Sequence, residues 1–111
     1  DIEPAEKSTK IRGRVLKARE IQNERFKAHK TVHSNAQMTS QQLKKSCILS
    51  EQCKNLLKNA MNKLDLSARA YNRILKVART IADLDSDDNI QTNHIAEAIQ
   101  YRSLDRDGWA G

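Results

Sequence analysis

The chain has 111 residues, among them 20 Lys or Arg, 14 Asp or Glu, 3 Gly, 1 Pro, one Trp, two Tyr and one Phe. This length supports one domain with one modest core, and the scarcity of Gly, Pro and aromatic residues excludes a β-sandwich or barrel and predicts an all-α fold. The longest apolar run is Cys47-Ile48-Leu49, far short of the ~20 residues that cross a bilayer, so we expect a cytoplasmic protein without a membrane partner.

The positive charge is concentrated in the first part of the chain. Residues 1–63 hold 14 basic and 6 acidic side chains, whereas residues 64–111 hold 6 and 8. Such an excess suits contact with phosphates or with an acidic surface, although net charge does not determine a fold. Cys47 and Cys53 lie six positions apart, which fits neither a disulfide framework nor a zinc knuckle, and we interpret them as reduced thiols in or near the core.

The first part of the chain predicts a tail and two helices. Residues 1–7 contain charges and a proline without periodicity, which is typical of a tail or linker. Ser8 is a candidate N-cap for a long helix over residues 9–30, although Gly13 weakens its first turns by roughly 1 kcal/mol relative to Ala. Residues 31–38 predict a loop, and the capping-box pattern of residues 39–42 predicts a short helix over residues 40–46. The apolar face of the long helix comprises Ile11, Val15, Ala18, Ile21 and Phe26.

Three further helices complete a small bundle of about five. Ser50 caps a helix over residues 51–63, Ser67 caps one from 68 to about 84, and Thr92 caps one from 93 to about 104. An acidic turn over residues 85–89 precedes the last helix. We therefore expect one helical domain over residues 8–104 and a C-terminal tail over residues 105–111. The third and fifth helices are expected to bury Leu56, Leu57, Ala60, Met61, Leu64, Ile95, Ala96, Ile99 and Leu104.

The fourth helix has the strongest pattern. At about 100° per residue, one wide arc is apolar, and we expect Leu75 and Ile81 within it to be buried. Arg69 falls in the first turn, where free N–H groups and the helix dipole favour an anion and a guanidinium adds a fork for phosphate oxygens. A solvated basic face is the alternative, and periodicity alone favours it. The polar stripe comprises Arg69, Asn72, Arg73, Lys76, Arg79, Thr80 and Asp83.

The remaining polar residues give weaker signals. His29 and His33 with the two cysteines suggest a zinc site only superficially, because the cysteine spacing is wrong and the helix is expected to end between the histidines. His94 is expected to be exposed in the first turn of the last helix. Asp85, Asp87 and Asp88 resemble a calcium loop that lacks its glycine and closing glutamate, so we interpret them as a solvated turn. The sequence predicts no metal site and no catalytic triad or phosphate loop.

The order of residues along nearly the whole chain resembles one family. The stretches LSARAYNRILKVARTIADL (66–84), HIAEAIQYR (94–102) and SLDR (103–106) are similar to the C-terminal domain of the magnesium-chelatase-like AAA+ ATPases. Upstream, IRGRV (11–15), Ala18-Arg19, Gln22 and Arg25-Phe26 resemble the family's opening helix, and NAQM (35–38) its connector. The SLDR ending and the NAQM connector fit the ComM-like branch of this family.

The resemblance implies a helical lid beside an α/β nucleotide-binding core that this chain does not contain. Ser67-Ala68-Arg69 resembles the second-sensor pattern, in which the arginine approaches the γ-phosphate, and this reverses the preference for a solvated face. The implied site residues are Arg69, as second sensor in the assembled parent protein, and Arg73, as a further nucleotide contact. The implied cofactors are ATP and Mg²⁺ in the parent, with none bound by the isolated domain.

The resemblance also implies partners and leaves two alternatives. The parent would be a homo-hexameric ATPase that acts on DNA, and this domain would contact its own core and neighbouring subunits while remaining monomeric alone. One alternative is an autonomous basic helical module that binds nucleic-acid backbone through its first helix. The other is the lid of a true magnesium chelatase subunit.

Overall fold

A computed structural model describes the backbone of residues 8–106 and the side chains of residues 8–101. It contains five α-helices, which confirms the all-α prediction. They are α1 (Ser8–Arg25), α2 (Ser40–Ser46), α3 (Glu51–Leu64), α4 (Ala68–Leu84) and α5 (Thr92–Arg106), with a 3₁₀ turn at Asn35–Gln37 before α2. No strand occurs in this described part of the chain. Trp109 and most of the predicted tail lie outside the described residues.

The predicted caps of the middle helices are present. The Ser50 hydroxyl accepts the Cys53 N–H at 3.2 Å, and the Ser67 hydroxyl accepts the Ala70 N–H at 3.2 Å. Thr39 forms the expected capping box, in which its hydroxyl accepts the Gln42 N–H and the Gln42 side chain accepts the Thr39 N–H. Each cap satisfies a backbone donor that the helix itself leaves unpaired, so these serines and Thr39 fix where the helices begin.

Helix α4 is the centre of the domain. α1, the 3₁₀ turn, α2 and α5 all pack against it, and α5 also packs against α3. Its buried apolar residues include Ile74 and Leu75, whereas Ile81 is only partly buried. The core around this helix also contains Phe26, Val32, Met38, Leu43, Cys47, Cys53, Leu57, Ile90, Ile95 and Ala98.

The first helix differs from its prediction in length and in burial. It ends at Arg25 instead of residue 30, because Phe26 and Val32 are both buried and the chain turns back toward α4 between them. Of its predicted apolar face, Ala18 and Phe26 are buried, the latter just beyond the helix end, and Ile21 is half-buried. Ile11 and Val15 are exposed, because the first half of α1 extends beyond the part of the helix that packs on the core.

Two details of the other helices also differ. Ala96 is exposed, and Ala98 is buried in its place. Ala98 lies on the side of α5 that faces α4 and α3, whereas Ala96 points away from it, about 100° round the helix from Ile95. In α3 the fully buried positions are Cys53 and Leu57, and the other predicted positions are half-buried. The backbone of α5 continues to Arg106, and the Leu104 side chain lies outside the described residues.

Candidate functional site

Arg69 lies at the open N-terminal end of α4. The three-residue connection from α3 contains Asp65 in the left-handed conformation (φ 51°), and the Leu66 N–H donates to the Met61 carbonyl at 3.0 Å. Ser67 then satisfies both the Ala70 and the Tyr71 N–H groups, through its hydroxyl and its carbonyl. Arg69 immediately precedes Ala70, and its side chain is exposed. The first turn of α4 therefore presents a guanidinium beside the positive end of the helix dipole.

Arg73 lies one turn further along the same exposed side of α4. Four residues separate it from Arg69, so its Cα is about 6 Å further along the helix axis. The Arg73 side chain is exposed but also takes part in an interaction within the domain. The structure therefore brings the two predicted site residues together on one face, with Arg69 nearer to the helix N-terminus.

The rest of the predicted polar stripe is not a solvated face. Asn72, Lys76 and Thr80 are half-buried, and the Lys76 ammonium donates to the Ala36 carbonyl at 3.1 Å. Arg79 and Asp83 are buried, with 3% and 1% of their surface exposed. The prediction that these two residues lie on the solvated stripe is therefore wrong, because both lie at the border of the apolar arc, where neighbouring segments cover them.

Asp83 is the centre of a buried hydrogen-bond network. Both of its carboxylate oxygens accept from the Arg25 guanidinium at 2.8 Å, which is the bidentate geometry that makes such pairs strong. The Asn35 amide donates to the same carboxylate at 2.8 Å, and Arg79 Nε donates at 3.2 Å. The hydrogen bond to Asp83 raises the pKa of Arg25. This network joins the end of α1 and the 3₁₀ turn to the last turns of α4.

Arg79 extends the network to the turn after α4. Its terminal nitrogens donate to the Asp87 carbonyl at 2.6 Å and to the Asp88 carbonyl at 3.0 Å, with a longer contact of 3.5 Å to the Ser46 carbonyl. The Asp87 and Asp88 carbonyls belong to the turn that the sequence predicts as solvated, so the backbone of that turn is held by a buried arginine. Among the described side chains, no buried polar atom lacks a hydrogen-bond partner.

His94 is buried, with 1% of its surface exposed, so the prediction of an exposed histidine is wrong. Its Nδ1 accepts the Gln91 N–H at 2.9 Å, and Nε2 lies 2.8 Å from the Asp85 carboxylate. Because the Gln91 N–H can only donate, Nδ1 carries no proton and Nε2–H donates to Asp85. The imidazole thus caps the first turn of α5 and ties it to the end of α4, which explains its burial.

The two cysteines and the other two histidines make contacts within the fold. Cys47 and Cys53 are buried free thiols, as predicted, and burial raises the pKa of Cys47 to about 11. Cys47 is therefore neutral and unreactive near neutral pH. His29 Nδ1 lies 3.1 Å from the Gln42 amide, and the His33 N–H donates to the Gln37 side chain. Within residues 8–101, no group of three or more His, Cys, Asp and Glu side chains is arranged to hold a metal ion.

The sequence contains part of the signal for the buried network. Arg79 is four residues after the buried Leu75, about 40° round the helix, and Asp83 is four residues after Arg79. An opposite-charge pair at the edge of an apolar arc indicates burial once its partners are known. Those partners, Arg25 and Asn35, are 58 and 48 residues away from Asp83, so helical periodicity does not identify them.

Comparison with known proteins identifies the family. Residues 5–102 match the family model described as magnesium chelatase, subunit ChlI C-terminal. The chain is 48% identical over 101 residues to the competence protein ComM of Haemophilus influenzae, an alignment that covers 91% of this chain and 19% of that protein. It is also 40% identical over 105 residues to the protein YifB of Escherichia coli, covering 95% of this chain and 20% of that protein.

The chain spans about a fifth of the length of the relatives it matches. In the described residues, no helix has the length and apolar character needed to cross a membrane. The family match includes the buried network and the N-terminus of α4, and it covers most of the chain. The chain therefore belongs to the family of magnesium chelatase ChlI C-terminal domains, on its ComM-like branch.

Proposed function

We propose that this chain is the helical lid of a longer AAA+ ATPase and that Arg69 is its second-sensor arginine. The observation that carries the proposal is the position of Arg69, which is exposed in the first turn of the central helix, directly after the Ser67 cap. The half-buried Arg25 and the buried Arg79, in contrast, are engaged within the fold. Family membership and the likeness to ComM supply the context of a nucleotide-binding core elsewhere in the parent protein.

The chemistry of Arg69 suits a phosphate that is being transferred. A guanidinium stays protonated at any physiological pH and donates two parallel hydrogen bonds to phosphate oxygens. During hydrolysis negative charge accumulates around the γ-phosphate, and a preorganised cation stabilises the transition state more than the ground state. The positive end of the α4 dipole acts in the same direction. Arg69 therefore contributes electrostatic stabilisation, and Arg73 contributes a weaker contact from one turn further away.

The buried network holds α4 as a rigid support for this arginine. Asp83 and Arg79 join the last turns of α4 to α1, to the 3₁₀ turn and to the turn after α4. Arg69 is at the opposite end of the same helix. Because the helix is clamped at one end and packed along its length, a displacement of the guanidinium by nucleotide moves the lid as one body. This supports a role for the lid in reporting the state of the nucleotide.

We propose further that the parent is a cytoplasmic homo-hexamer that uses ATP and Mg²⁺ and remodels DNA. The lid would contact its own core and the neighbouring subunit. The reason to favour DNA over insertion of metal into a porphyrin is that the Haemophilus influenzae relative is named a competence protein, whereas the family description refers to a chelatase subunit. The lid of a true magnesium chelatase subunit is the second candidate, supported by that description.

The test is the Arg69→Ala variant of the full-length parent. We expect ATP turnover to fall by about tenfold or more, because the lost interaction acts mainly in the transition state. In the 111-residue chain, the same substitution should change the free energy of unfolding by less than about 0.5 kcal/mol, since the side chain is exposed. Steady-state ATPase rates of the parent and melting curves of the chain measure the two effects.

Arg73→Ala is the matched control, because it removes the same charge from the same helix face. We expect it to reduce turnover clearly less than Arg69→Ala does. If Arg69→Ala hydrolyses ATP at the wild-type rate, or if it lowers the melting temperature of the domain, then the second-sensor assignment fails and Arg69 is a residue of the solvated surface.

The 111-residue chain alone should be monomeric and should not bind ATP at micromolar concentration. One arginine contributes only about 1.5–3 kcal/mol as a charged hydrogen-bond donor, far below the roughly 8 kcal/mol of a micromolar complex. Titration of the labelled chain with ATP, followed by NMR, is expected to give small shifts that do not saturate at micromolar nucleotide. Saturation in that range would show that the chain forms a nucleotide site without the core.

A further inference from the structure

The first half of α1 is a basic, uncovered helix. Its residues 8–19, called the basic segment below, contain five Lys or Arg and no Asp or Glu. Ala18 is the one residue of this segment that is buried. Leu16, with 51% of its surface exposed, is the most exposed of the large apolar side chains of α1. The segment therefore adds nothing to the core beyond Ala18, although it is helical and carries five of the 14 basic side chains of residues 1–63.

The basic side chains of this segment lie on two opposite flanks. With about 100° per residue, Arg12 and Arg19 fall on one flank, and Lys10, Arg14 and Lys17 fall on the other. The second flank, together with Gly13, lines a surface cleft whose opposite wall is formed by residues 84–86. Between the flanks, on the side turned away from Ala18, lies an outer strip of Thr9, Gly13 and Leu16. All three residues of this outer strip are exposed.

The glycine in the outer strip has no explanation inside the domain. A Cβ added at Gly13 would have no neighbouring heavy atom within 4 Å apart from the backbone of its own helix, so nothing in the fold requires the absence of a side chain. Glycine weakens a helix interior because of its backbone freedom. Close approach of a binding partner to the helix backbone is one use of a glycine at an exposed helix position.

We propose that the basic segment binds double-stranded nucleic acid, with the outer strip of α1 in the major groove and the two basic flanks against the phosphates on either side. The major groove of B-DNA is wide enough for an α-helix, and its edges are two rows of phosphates. A helix with cations on both flanks and a small, uncharged outer strip matches this arrangement of charge. Leu16 is positioned for apolar contact with thymine methyl groups.

The acidic turn after α4 lies beside one flank only. Asp85 borders the cleft next to Lys10 and Lys17 and competes with phosphate for that flank, whereas Arg12 and Arg19 lie on the opposite side of the helix. Glu20 is the first acidic residue after the segment and marks its end. This inference deepens the proposed action of the parent on DNA, on which it rests, but it is independent of the second-sensor assignment, because it uses neither Arg69 nor ATP.

The experiment measures binding of the 111-residue chain to a short fluorescein-labelled DNA duplex by anisotropy over a series of salt concentrations. We expect log K to fall linearly with log salt, with a slope of about −4 for four or five neutralised phosphates. The double variants R12A/R19A and K10A/K17A should each weaken binding by about tenfold or more and reduce the magnitude of the slope by about 2.

The control double variant K45A/K58A removes the same charge from exposed positions on α2 and α3. It should leave the affinity within about twofold and the slope unchanged. Gly13→Leu tests the close approach, since leucine is a better helix former than glycine. We expect it to weaken duplex binding by about tenfold with an unchanged slope, while the melting temperature of the chain stays the same or rises.

Four results would overturn the proposal. Equal losses in the flank variants and in K45A/K58A mean that only net charge is involved. A loss in one flank variant alone excludes a helix between two rows of phosphates. Wild-type affinity of Gly13→Leu excludes close contact of the outer strip. Duplex binding that is no tighter than single-strand binding, including the absence of both even at low salt, excludes the groove.

Discussion

Asp83→Ala is expected to lower the free energy of unfolding of the domain by about 3–5 kcal/mol, because it leaves the buried Arg79 and the half-buried Arg25 without their counter-charge. Arg25 loses both of its hydrogen bonds to the carboxylate, and Asn35 and Arg79 lose one each. A domain of this size has a total stability of about 5–15 kcal/mol, so the loss is a large fraction of it. Denaturant unfolding followed by circular dichroism measures the change.

Asp88→Ala is the matched control for this prediction. Asp88 is exposed and contributes its backbone carbonyl, not its carboxylate, to Arg79. Its replacement should change the free energy of unfolding by less than about 0.5 kcal/mol. Equal unfolding midpoints for Asp83→Ala and Asp88→Ala would mean that the buried network does not stabilise the packing of α1 and the 3₁₀ turn on α4.

Leu75→Ala is expected to cost about 2–5 kcal/mol, from lost burial together with the cavity left in the core. Leu75 is 6% exposed on the central helix, and its carbonyl accepts a weak hydrogen bond from the buried Cys47 thiol at 3.9 Å. The range reflects how far the neighbouring side chains can collapse into the space. Thermal and denaturant melts of the variant measure the loss.

Leu16→Ala removes the same atoms from an exposed site and serves as the control for Leu75→Ala. Leu16 is 51% exposed on α1, so its replacement should stay within about 0.5 kcal/mol of the wild type. A Leu75→Ala variant that melts within a degree or two of the wild-type chain would contradict the central position of α4 in the core.

Local signals in the sequence were sufficient to predict the helices from α2 onward. Ser50 and Ser67 cap helices α3 and α4 at the predicted positions, because N-capping is a contact between residues three positions apart. The apolar arc of α4 predicted Leu75 correctly for a similar reason, since helical periodicity is also local. The position of Arg69 in the first turn of α4 followed from the same cap.

Contacts that helical periodicity does not encode explain what the sequence did not predict. The burial of Asp83 depends on Arg25 and Asn35, which reach it from other segments. The burial of His94 depends on Asp85 and on the Gln91 N–H that its ring accepts. Ile11 and Val15 are apolar, as residues of a buried helix face are, but the core beneath α1 does not extend far enough to cover them. In each case the spatial neighbours of the residue decide whether it is buried, and the local sequence pattern does not identify them.

The most direct test of the second-sensor assignment is the distance between the Arg69 guanidinium and the nucleotide in the assembled parent. A structure of the parent with a non-hydrolysable ATP analogue provides this distance. The proposal predicts that a guanidinium nitrogen of Arg69 lies about 2.7–2.9 Å from a γ-phosphate oxygen, with Arg73 further away. An Arg69 side chain separated from every phosphate by solvent, or a different arginine in that position, would contradict it.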